Sequence, residues 1–541
     1  PVAEMAARLE DGAIVALKGI GGFHLLCDAR NDAAVALLRQ RKARDQKPFA
    51  VMVRDIAAAR QLANPTEAEE ALLVSPASPI VLVEARSGAV SGGIAPGLRR
   101  IGLLLAYAPL HHLLLDALAG HSRHCPPALV ATSANPGGEP LVADNADAAR
   151  RLAAIADHIV THDRDIAVRA DDSVMQVIDG APAFIRRARG FVPEPVDLGT
   201  DGPCVIATGA DLKNTVCVTR GREAFLSQHV GGLDNAEAIR FQAETVNHLC
   251  SILNIAPEVA ACDLHPDFRS VRLAEGLNLP LIRVQHHVAH IAAVAAEHHV
   301  AGPVCGLALD GHGYGANGGI WGGERLWLDG SSWERTGSLR PLPLAGGDKA
   351  AREPWRMAVG ALHSAGRGDL SGEIFASHAD AQRLLALLAR GMRVVETSSM
   401  GRLFDAAAAI AGVSLVQRYE GQAAMRFEAM VDAPEVLENG YRIVGGQLDF
   451  TALILHLAEH RLTGVAAANV FHGTLIAGLA EWAAQGTDVL PVVLGGGCLM
   501  NRVLAEGLAR TLRSSGHNVF LPPRPPMTVA LRSARRRLRG M

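Results

Sequence analysis

The sequence is poor in aromatic residues and carries almost no net charge. Its 541 residues include 13 Phe, 5 Trp and 4 Tyr, and the formal net charge is −3. Without an excess of Lys and Arg, the chain lacks the positive field with which proteins bind nucleic acid, so the composition disfavours a nucleic-acid partner. The 55 glycines and 49% hydrophobic residues are instead typical of an α/β enzyme with many turns.

Paired cysteines and long apolar runs are also missing. The eight cysteines never form a C-x-x-C pair, and most lie within apolar stretches, which predicts reduced, buried thiols and a cytoplasmic protein. The sequence has no uncharged apolar run long enough to cross a bilayer, so no membrane contact is expected. A chain of this length predicts several packed units. Because it begins with Pro1-Val2 rather than Met, we expect a fragment of a longer protein.

Two histidines four residues apart give the clearest chemical signal. His286 and His290 lie in an alanine-rich, helix-favouring segment, so both imidazoles project from one helix face. A predicted strand, residues 304–309, then leads to Asp310, and Gly311 lets a polyanion approach the backbone. Two imidazoles and a carboxylate predict a divalent metal site beside a phosphate site. The alternative is a helix whose histidines only pack or face solvent.

Cations cluster near the start of the chain. Five of them fall within residues 39–47, immediately before the apolar run 49–53, which is a position that suits a polyphosphate. Another lysine ends the predicted strand 12–18 and precedes a glycine-rich turn. The alternative for such a run is a solvated surface. The candidate phosphate-binding residues here are Lys18, Lys42, Arg44 and Lys47.

A second polar cluster follows a predicted strand further along. The apolar run 128–131 leads into Ser133 and Asn135, and polar groups at the carboxyl end of a strand are placed to bind a ligand in an α/β sheet. Lys42 and Arg44 with Ser133 and Asn135 resemble the Lys-x-Arg and Ser-x-Asn signature of the YrdC family. That family makes acyl adenylates from ATP and a carbamate-type acid.

Glycine-rich polar turns recur in the rest of the chain. A turn at residues 209–215 separates two short strands, and a similar turn at residues 310–315 follows, which predicts the duplicated halves of an actin- or hexokinase-like ATPase. A further glycine turn after the apolar run 489–494 enters a helix, as an adenosine-binding turn of that class does. The candidate nucleotide-binding residues are Gly209, Lys213, Asn214, Thr215, Gly311, Gly346, Gly347, Gly495, Gly496 and Asn501.

These blocks together resemble the hydrogenase maturation carbamoyltransferase family HypF. The resemblance implies an α/β chain in which a YrdC-like domain (residues 1–195) precedes a duplicated actin/hexokinase-like ATPase fold (residues 196–335 and 336–541). Family members usually begin with an acylphosphatase domain and paired zinc modules, which are not in this sequence. The resemblance rests on the motifs at residues 286–290, 309–315, 321–324, 346–348, 398–406 and 419–424.

The resemblance also implies a mechanism. Lys42 and Arg44 would neutralise ATP phosphates while Ser133 and Asn135 orient carbamate, giving carbamoyl adenylate. The carbamoyl group would pass to the C-terminal cysteine of a HypE-like protein acceptor, on the way to the cyanide ligands of nickel-iron hydrogenase. Cofactors would be ATP with magnesium and a zinc or iron ion at the second site, and carbamoyl phosphate or carbamate the donor. Because carbamate hydrolyses easily, one water-excluding body is expected to enclose both sites.

Other functions remain open at this point. An O-carbamoyltransferase of small molecules uses similar modules, but places the YrdC-like domain last. A tRNA threonylcarbamoyl-type enzyme is disfavoured by the near-neutral charge. A non-catalytic maturation scaffold would release no pyrophosphate from ATP and carbamate, which distinguishes it from the enzyme.

The C-terminal tail departs from the family pattern. The family is expected to continue with Pro-Pro-Asn-Asp-Gly-Gly, whose Asp would complete the metal site, whereas residues 524–536 read as a basic, proline-led segment. Plausible codons for this segment spell the family pattern in a shifted frame. We therefore hypothesise a frameshift near Arg524; genuine divergence is the alternative.

Overall fold

The computed structural model describes residues 2–121, 126–135, 137–486 and 490–522. Three β-sheets follow one another along this part of the chain, and each takes its strands from one continuous stretch of sequence. The atypical tail that begins near Arg524 lies outside the described residues. None of the described helices is both long and apolar enough to span a membrane.

The first sheet has the order β7-β1-β2-β6-β3-β5-β4-β8-β9 among the described strands. Its strands are β1 (Val15–Lys18), β2 (Phe23–Asp28), β3 (Ala50–Val53), β4 (Ile80–Glu84), β5 (Arg100–Leu105), β6 (Ala128–Ser133), β7 (His158–Val160), β8 (Val174–Ile178) and β9 (Ala181–Arg186). Its helices are α1 (Val2–Glu10), α2 (Asp32–Arg41), α3 (Ile56–Leu62), α4 (Glu67–Leu73), α5 (Pro109–His121) and α6 (Asn145–Arg151).

Helices cover both faces of this sheet. Alternate residues of β3 point to opposite faces, so Val51 and Val53 join one hydrophobic core while Met52 joins the other. The first core contains α2 and α3, and the second contains α1 and α5. Asn31 caps α2, because its side chain accepts a hydrogen bond from Ala34 N at 3.1 Å. The cation-rich loop 42–47 leaves the end of this helix.

The second sheet is smaller, with the order β10-β13-β12-β11-β14-β15. Its strands are β10 (Pro195–Asp197), β11 (Val205–Ala207), β12 (Cys217–Arg220), β13 (Glu223–Leu226), β14 (Val259–Asp263) and β15 (Leu281–Val284). Its helices are α7 (Ala236–Leu253), α8 (Arg269–Gly276) and α9 (His286–Glu297). The predicted hairpin is observed, because β11 and β12 pair antiparallel across the turn 209–215.

The third sheet follows the path β21-β22-β18-β17-β16-β23-β24, with β20 pairing β17 and β19. Its strands are β16 (Val304–Tyr314), β17 (Ile320–Asp329), β18 (Ser332–Leu339), β19 (Leu342–Pro343), β20 (Glu396–Thr397), β21 (Arg442–Val444), β22 (Gln447–Asp449), β23 (Val492–Gly495) and β24 (Val519–Phe520). Its helices are α10 (Asp348–Arg352), α11 (Pro354–Ser364), α12 (Gly368–Ile374), α13 (Ala379–Ala389), α14 (Met400–Ile410), α15 (Gln422–Ala429), α16 (Thr451–Glu459), α17 (Gly464–Ala484) and α18 (Arg502–Ser514).

Helix α9 connects the second and third sheets through unusually close packing. The helix begins at His286, where the side chain of Gln285 accepts a hydrogen bond from Val288 N at 2.9 Å. Glycine lets the neighbouring strand approach, since a Cβ added to Gly306 would lie 2.7 Å from Ile291. The two imidazoles of α9 are therefore held rigidly against the strand that carries Asp310.

The strand before Asp310 is longer than the sequence predicts. We expected it to end at residue 309, but β16 continues to Tyr314 because Gly313 and Tyr314 pair again with β17. The register shifts between Leu309 and Gly313, and such an irregularity turns side chains away from the regular alternation. Asp310 thus lies inside an irregular strand rather than at a strand end.

Candidate active site

The two halves of the YrdC-like signature meet in one cluster. Lys42 Nζ donates hydrogen bonds to the carbonyl of Ser133, to the carbonyl of Asn135 at 3.0 Å and to Asn135 Oδ1 at 2.9 Å. Ser133 Oγ donates to the same Oδ1 at 2.8 Å, and Arg44 Nη1 donates to Thr132 Oγ1 at 3.1 Å. The side-chain nitrogen of Lys42 therefore holds the Ser133–Asn135 turn in place.

Burial and like charges weaken the basicity of this cluster. Burial, followed by the repulsion from Arg44, lowers the pKa of Lys42 to about 7. Burial and the nearby Arg44 and Arg186 likewise lower the pKa of Lys47 to about 8. Cations that repel one another in a confined space are stabilised by a polyanion, because opposite charge favours the protonated form. The cluster has the electrostatics of a phosphate site.

Nucleotide binding is expected to take up a proton between pH 7 and pH 10.5. Above pH 7 Lys42, whose pKa is about 7, is mostly neutral, and bound phosphates are expected to raise that pKa toward the ordinary 10.5. Affinity should therefore fall as pH rises above 7. Calorimetric titration at pH 8.5 in buffers of different ionisation enthalpy measures the uptake. The number of protons taken up on binding should be smaller in Lys42→Met. A binding heat that is the same in all buffers for the unmodified protein would contradict the prediction.

The predicted metal ligands converge on one point. Asp310 Oδ2 lies 3.2 Å from His286 Nε2 and 3.0 Å from His290 Nε2, and the two Nε2 atoms are 3.2 Å apart. One ligand atom from each residue falls within 4.8 Å of the others. Two imidazoles and a carboxylate at this separation fit zinc or iron.

A fourth residue, which the sequence did not reveal, fixes one of these ligands. His286 Nδ1 lies 2.7 Å from Oδ2 of Asp263, at the end of β14. A carboxylate on Nδ1 keeps the proton there and leaves Nε2 as the electron-pair donor, which is the arrangement that supports a metal-bound histidine. The donor set and its tautomer therefore fit a divalent ion. A carboxylate ending a buried strand was a usable signal for Asp263.

Replacing Asp263 with alanine is expected to lower metal affinity by roughly 10- to 100-fold, the usual cost of losing a group that orients a ligating histidine. Asp263→Asn should cost less, because the amide oxygen still accepts from His286 Nδ1. Competition with a chromogenic chelator measures the affinity of both variants, and thermal unfolding checks that they fold. An unchanged affinity in the alanine variant would assign Asp263 a purely structural role.

Backbone amides and a serine hold Asp310 in the orientation that faces the histidines. Asp310 Oδ1 accepts from Gly311 N at 2.8 Å and from Gly497 N at 3.2 Å, which leaves Oδ2 for the imidazoles. Ser399 Oγ donates to the carbonyls of Asp310 and Gly311 at 3.2 and 2.7 Å. The motifs at 398–406 and 495–497 thus support the metal ligand in addition to any nucleotide contact.

One continuous cavity of about 1780 Å³ joins the two clusters. Lys42, Arg44, Ser133 and Asn135 line it on one side, and Asp310 lines it on the other. His286 and His290 are buried behind Asp310 and are not among the lining residues. Residues of the third unit that the sequence analysis did not assign also line the cavity; they include Gly401, Arg402, Asp405, Tyr419 and Cys498.

The remaining predicted ligand-binding residues divide by position. Lys47, Lys213, Gly311 and Asn501 line the cavity, and their contact with nucleotide stays a prediction. Those that are not among its lining residues are Lys18, Gly209, Asn214, Thr215, Gly346, Gly347, Gly495 and Gly496.

Two of the residues away from the cavity have local roles instead. The amide of Asn214 is buried and donates to the carbonyls of Thr208 and Ala210, at 2.8 and 2.6 Å, so it closes its own turn rather than facing a phosphate. Lys18 is also buried, and its ammonium donates to the carbonyl of His162 at 3.2 Å.

Family models match the chain in three consecutive segments. Residues 7–188 match the model described as "Telomere recombination", which covers Sua5, YciO and YrdC proteins. Residues 200–297 match "HypF Kae1-like domain", and residues 306–528 match "Carbamoyltransferase, Kae1-like Domain, second subdomain". These segments correspond to the three sheets.

Curated relatives are similar over nearly the whole chain. A carbamoyltransferase HypF of Rhizobium leguminosarum bv. viciae is 71% identical over 530 residues, covering 97% of this chain and 70% of the relative. A probable carbamoyltransferase HypF of Methanocaldococcus jannaschii is 31% identical, covering 97% of this chain and 70% of the relative.

Solved structures agree with the sequence relatives. Full-length HypF in a phosphate- and nucleotide-bound form superimposes with a TM-score of 0.91 at 36% identity, covering 98% of this chain and 85% of that one. HypF of T. kodakarensis gives 0.91 at 32% identity, covering 100% and 74%. Fold and sites together define a carbamoyltransferase that combines a YrdC-like unit with a Kae1-like unit. The chain belongs to the HypF family of these enzymes.

Proposed function

We propose that this chain joins carbamate to ATP as carbamoyl adenylate and transfers the carbamoyl group to a protein thiol. The observation that carries the proposal is the single cavity lined by Lys42 and Asn135 on one side and by Asp310 on the other. An intermediate formed at the first cluster can reach the second without entering bulk solvent. The related HypF structure with bound phosphate and nucleotide supports ATP as the nucleotide here.

In the first reaction, a carbamate oxygen attacks the α-phosphorus of ATP and pyrophosphate leaves. The cations Lys42, Arg44 and Lys47 neutralise the phosphate oxygens, together with the magnesium that accompanies ATP. Ser133 and Asn135 orient the acid, since both are fixed by Lys42 at the cavity wall. The main contribution of such a site is to hold two anions, ATP and carbamate, close together despite their mutual repulsion.

In the second reaction, the acceptor thiolate attacks the carbamoyl carbon, and AMP leaves. His286, His290 and Asp310 would hold zinc or iron, which when bound supplies Lewis-acid polarisation of the carbamoyl group. Asp263 fixes the tautomer of His286, and the amides of Gly311 and Gly497 orient Asp310. Arg402, which also lines the cavity, is placed to attract the departing phosphate.

The remaining assignments rest on the similarity to HypF proteins. The acceptor is the C-terminal cysteine of a HypE-like protein in the maturation of nickel-iron hydrogenase, and carbamate derives from carbamoyl phosphate. Free thiol and ATP chemistry suit the cytoplasm. The domain boundaries at 195/196 and 335/336 stay proposals. The strand assignments support a first boundary between β9 and β10, just before Pro195, and a second boundary between β15 and β16.

Two measurements test this function. With ATP and ammonium carbamate, the chain should catalyse carbamate-dependent exchange between ATP and labelled pyrophosphate. With a HypE-like acceptor added, mass spectrometry should detect a carbamoyl group on its C-terminal cysteine. No exchange would refute adenylate formation and favour the maturation scaffold, while exchange without acceptor modification would refute only the transfer step.

A further inference from the structure

One residue of the cation-rich loop faces the neighbouring unit rather than the cavity. Lys42, Arg44 and Lys47 line the cavity, whereas Gln46 does not. Its Oε1 accepts a hydrogen bond from Gln422 Nε2 and another from Arg426 Nη2, the latter at 3.1 Å. Gln46 therefore connects the loop that would bind ATP to helix α15 of the third unit.

The segment that leads into α15, residues 418–422, ends with the first residue of the helix and holds this contact. We call it the bridging loop. Gly421 takes a positive φ of 75° and ends the loop at the helix start. Gln422 is fully buried, and its Oε1 accepts from Arg418 N at 2.6 Å, which directs its amide nitrogen toward Gln46. The donor to Gln46 is thus held in place by a hydrogen bond within the third unit.

The bridging loop also reaches the second unit. Glu420 lies 3.1 Å from Lys213 in the predicted phosphate turn 209–215, and the charge of Glu420 also acts on Lys47. Tyr419, the residue before Glu420 in the bridging loop, lines the cavity. Its buried hydroxyl has no hydrogen-bond partner within the described residues. A single loop therefore touches the cation-rich loop, the cavity and the second unit.

We propose that Gln46 is a positioning residue which, through the bridging loop, couples formation of carbamoyl adenylate to its transfer. The inference rests on the proposed function. Gln46 is not among the residues that line the cavity, so adenylate should form without it. When its hydrogen bonds are present, the two units close around the intermediate. Without them, the contact between the cation-rich loop and α15 loosens. The intermediate then escapes, or reacts with water before it reaches the acceptor thiol.

The loss can be written as a balanced reaction. In the coupled cycle, carbamoyl adenylate and the acceptor thiol give a thiocarbamate, AMP and a proton. In the uncoupled cycle, carbamoyl adenylate and water give carbamate, AMP and two protons. Both cycles consume one ATP and release one pyrophosphate and one AMP, so only the yield of modified acceptor differs. The number of AMP molecules formed per carbamoyl group transferred therefore measures coupling.

The test compares Gln46→Met with Gln46→Glu. Methionine keeps the shape of glutamine but accepts no strong hydrogen bond, whereas glutamate keeps an acceptor for Arg426 and Gln422. Gln46→Met should form roughly threefold to tenfold more AMP per transferred carbamoyl group, as expected for the loss of one or two hydrogen bonds. Its carbamate-dependent pyrophosphate exchange should stay unchanged. Gln46→Glu should keep the unmodified ratio.

A control variant separates coupling from general docking of the units. Asp179 pairs with Arg513 and its backbone N–H donates to Glu506 at 3.1 Å, so it joins the same two units away from the bridging loop. Asp179→Asn weakens that ion pair and should leave the ratio unchanged. A normal ratio in Gln46→Met would overturn the inference, and so would an equal rise in Asp179→Asn. Absence of exchange in the unmodified chain would instead refute the proposed function.

Discussion

Lys42→Ala is expected to abolish adenylate formation while metal binding and fold remain. The ammonium group both neutralises phosphate and holds the carbonyls of Ser133 and Asn135. Removing one preorganised charge of this kind usually costs about 100- to 1000-fold in rate. Because the Ser133–Asn135 turn also loses its anchor, we expect the upper end of this range. Carbamate-dependent pyrophosphate exchange measures the effect.

Asn135→Ala should reproduce most of this loss, since Asn135 Oδ1 is the shared acceptor for Lys42 and Ser133. Lys349→Ala is a matched control, because Lys349 is exposed and does not line the cavity. It should exchange pyrophosphate normally. Exchange at the unmodified rate in Lys42→Ala would remove the YrdC-like cluster from the mechanism.

His286→Ala and His290→Ala are each expected to block carbamoyl transfer and spare adenylate formation. Each removes one of three ligand atoms, so metal affinity should fall by more than the roughly 10- to 100-fold expected for a residue that only supports a ligand. Among the described residues, the cluster of Lys42, Ser133 and Asn135 shares no hydrogen bond with α9, so the exchange reaction proposed for it should continue normally. Metal content by mass spectrometry, pyrophosphate exchange and acceptor modification together test this separation.

His298→Ala is a suitable control on the same helix, because His298 is exposed at the end of α9 and donates to the carbonyl of Leu521. It should bind metal and transfer carbamoyl normally. If His286→Ala and His290→Ala retain their metal, the histidines pack the helix and the ion is held elsewhere. If they lose metal but still modify the acceptor, the metal has no part in transfer.

Residues that share a short sequence motif were predictable, because local spacing sets their geometry. A four-residue separation on a helix places His286 beside His290, and the Lys-x-Arg and Ser-x-Asn motifs meet because β3 pairs with β6 in the first sheet. Asp263 was not predicted. Its strand becomes a neighbour of α9 only when β14 and β15 pair and the chain turns at Gln285, which no local pattern encodes.

The direction in which a polar side chain of a turn points could not be predicted from the local sequence either. Asn214 and Lys213 are neighbours in a phosphate-like turn, yet the amide of Asn214 is turned inward while Lys213 lines the cavity. The residue types in this turn are compatible with either orientation. What decides between them is whether backbone carbonyls that can accept from the amide, here those of Thr208 and Ala210, lie within reach.

The size of the cavity changes how the intermediate is protected. A volume of about 1780 Å³ exceeds the roughly 300–1,000 Å³ of an ordinary ligand pocket, so carbamoyl adenylate would leave part of the cavity open to water. Confinement alone cannot shield carbamoyl adenylate. The fraction that survives therefore depends on the rate at which it reaches the second cluster relative to the rate of its hydrolysis. An acceptor that docks late should waste ATP even when every catalytic residue is intact.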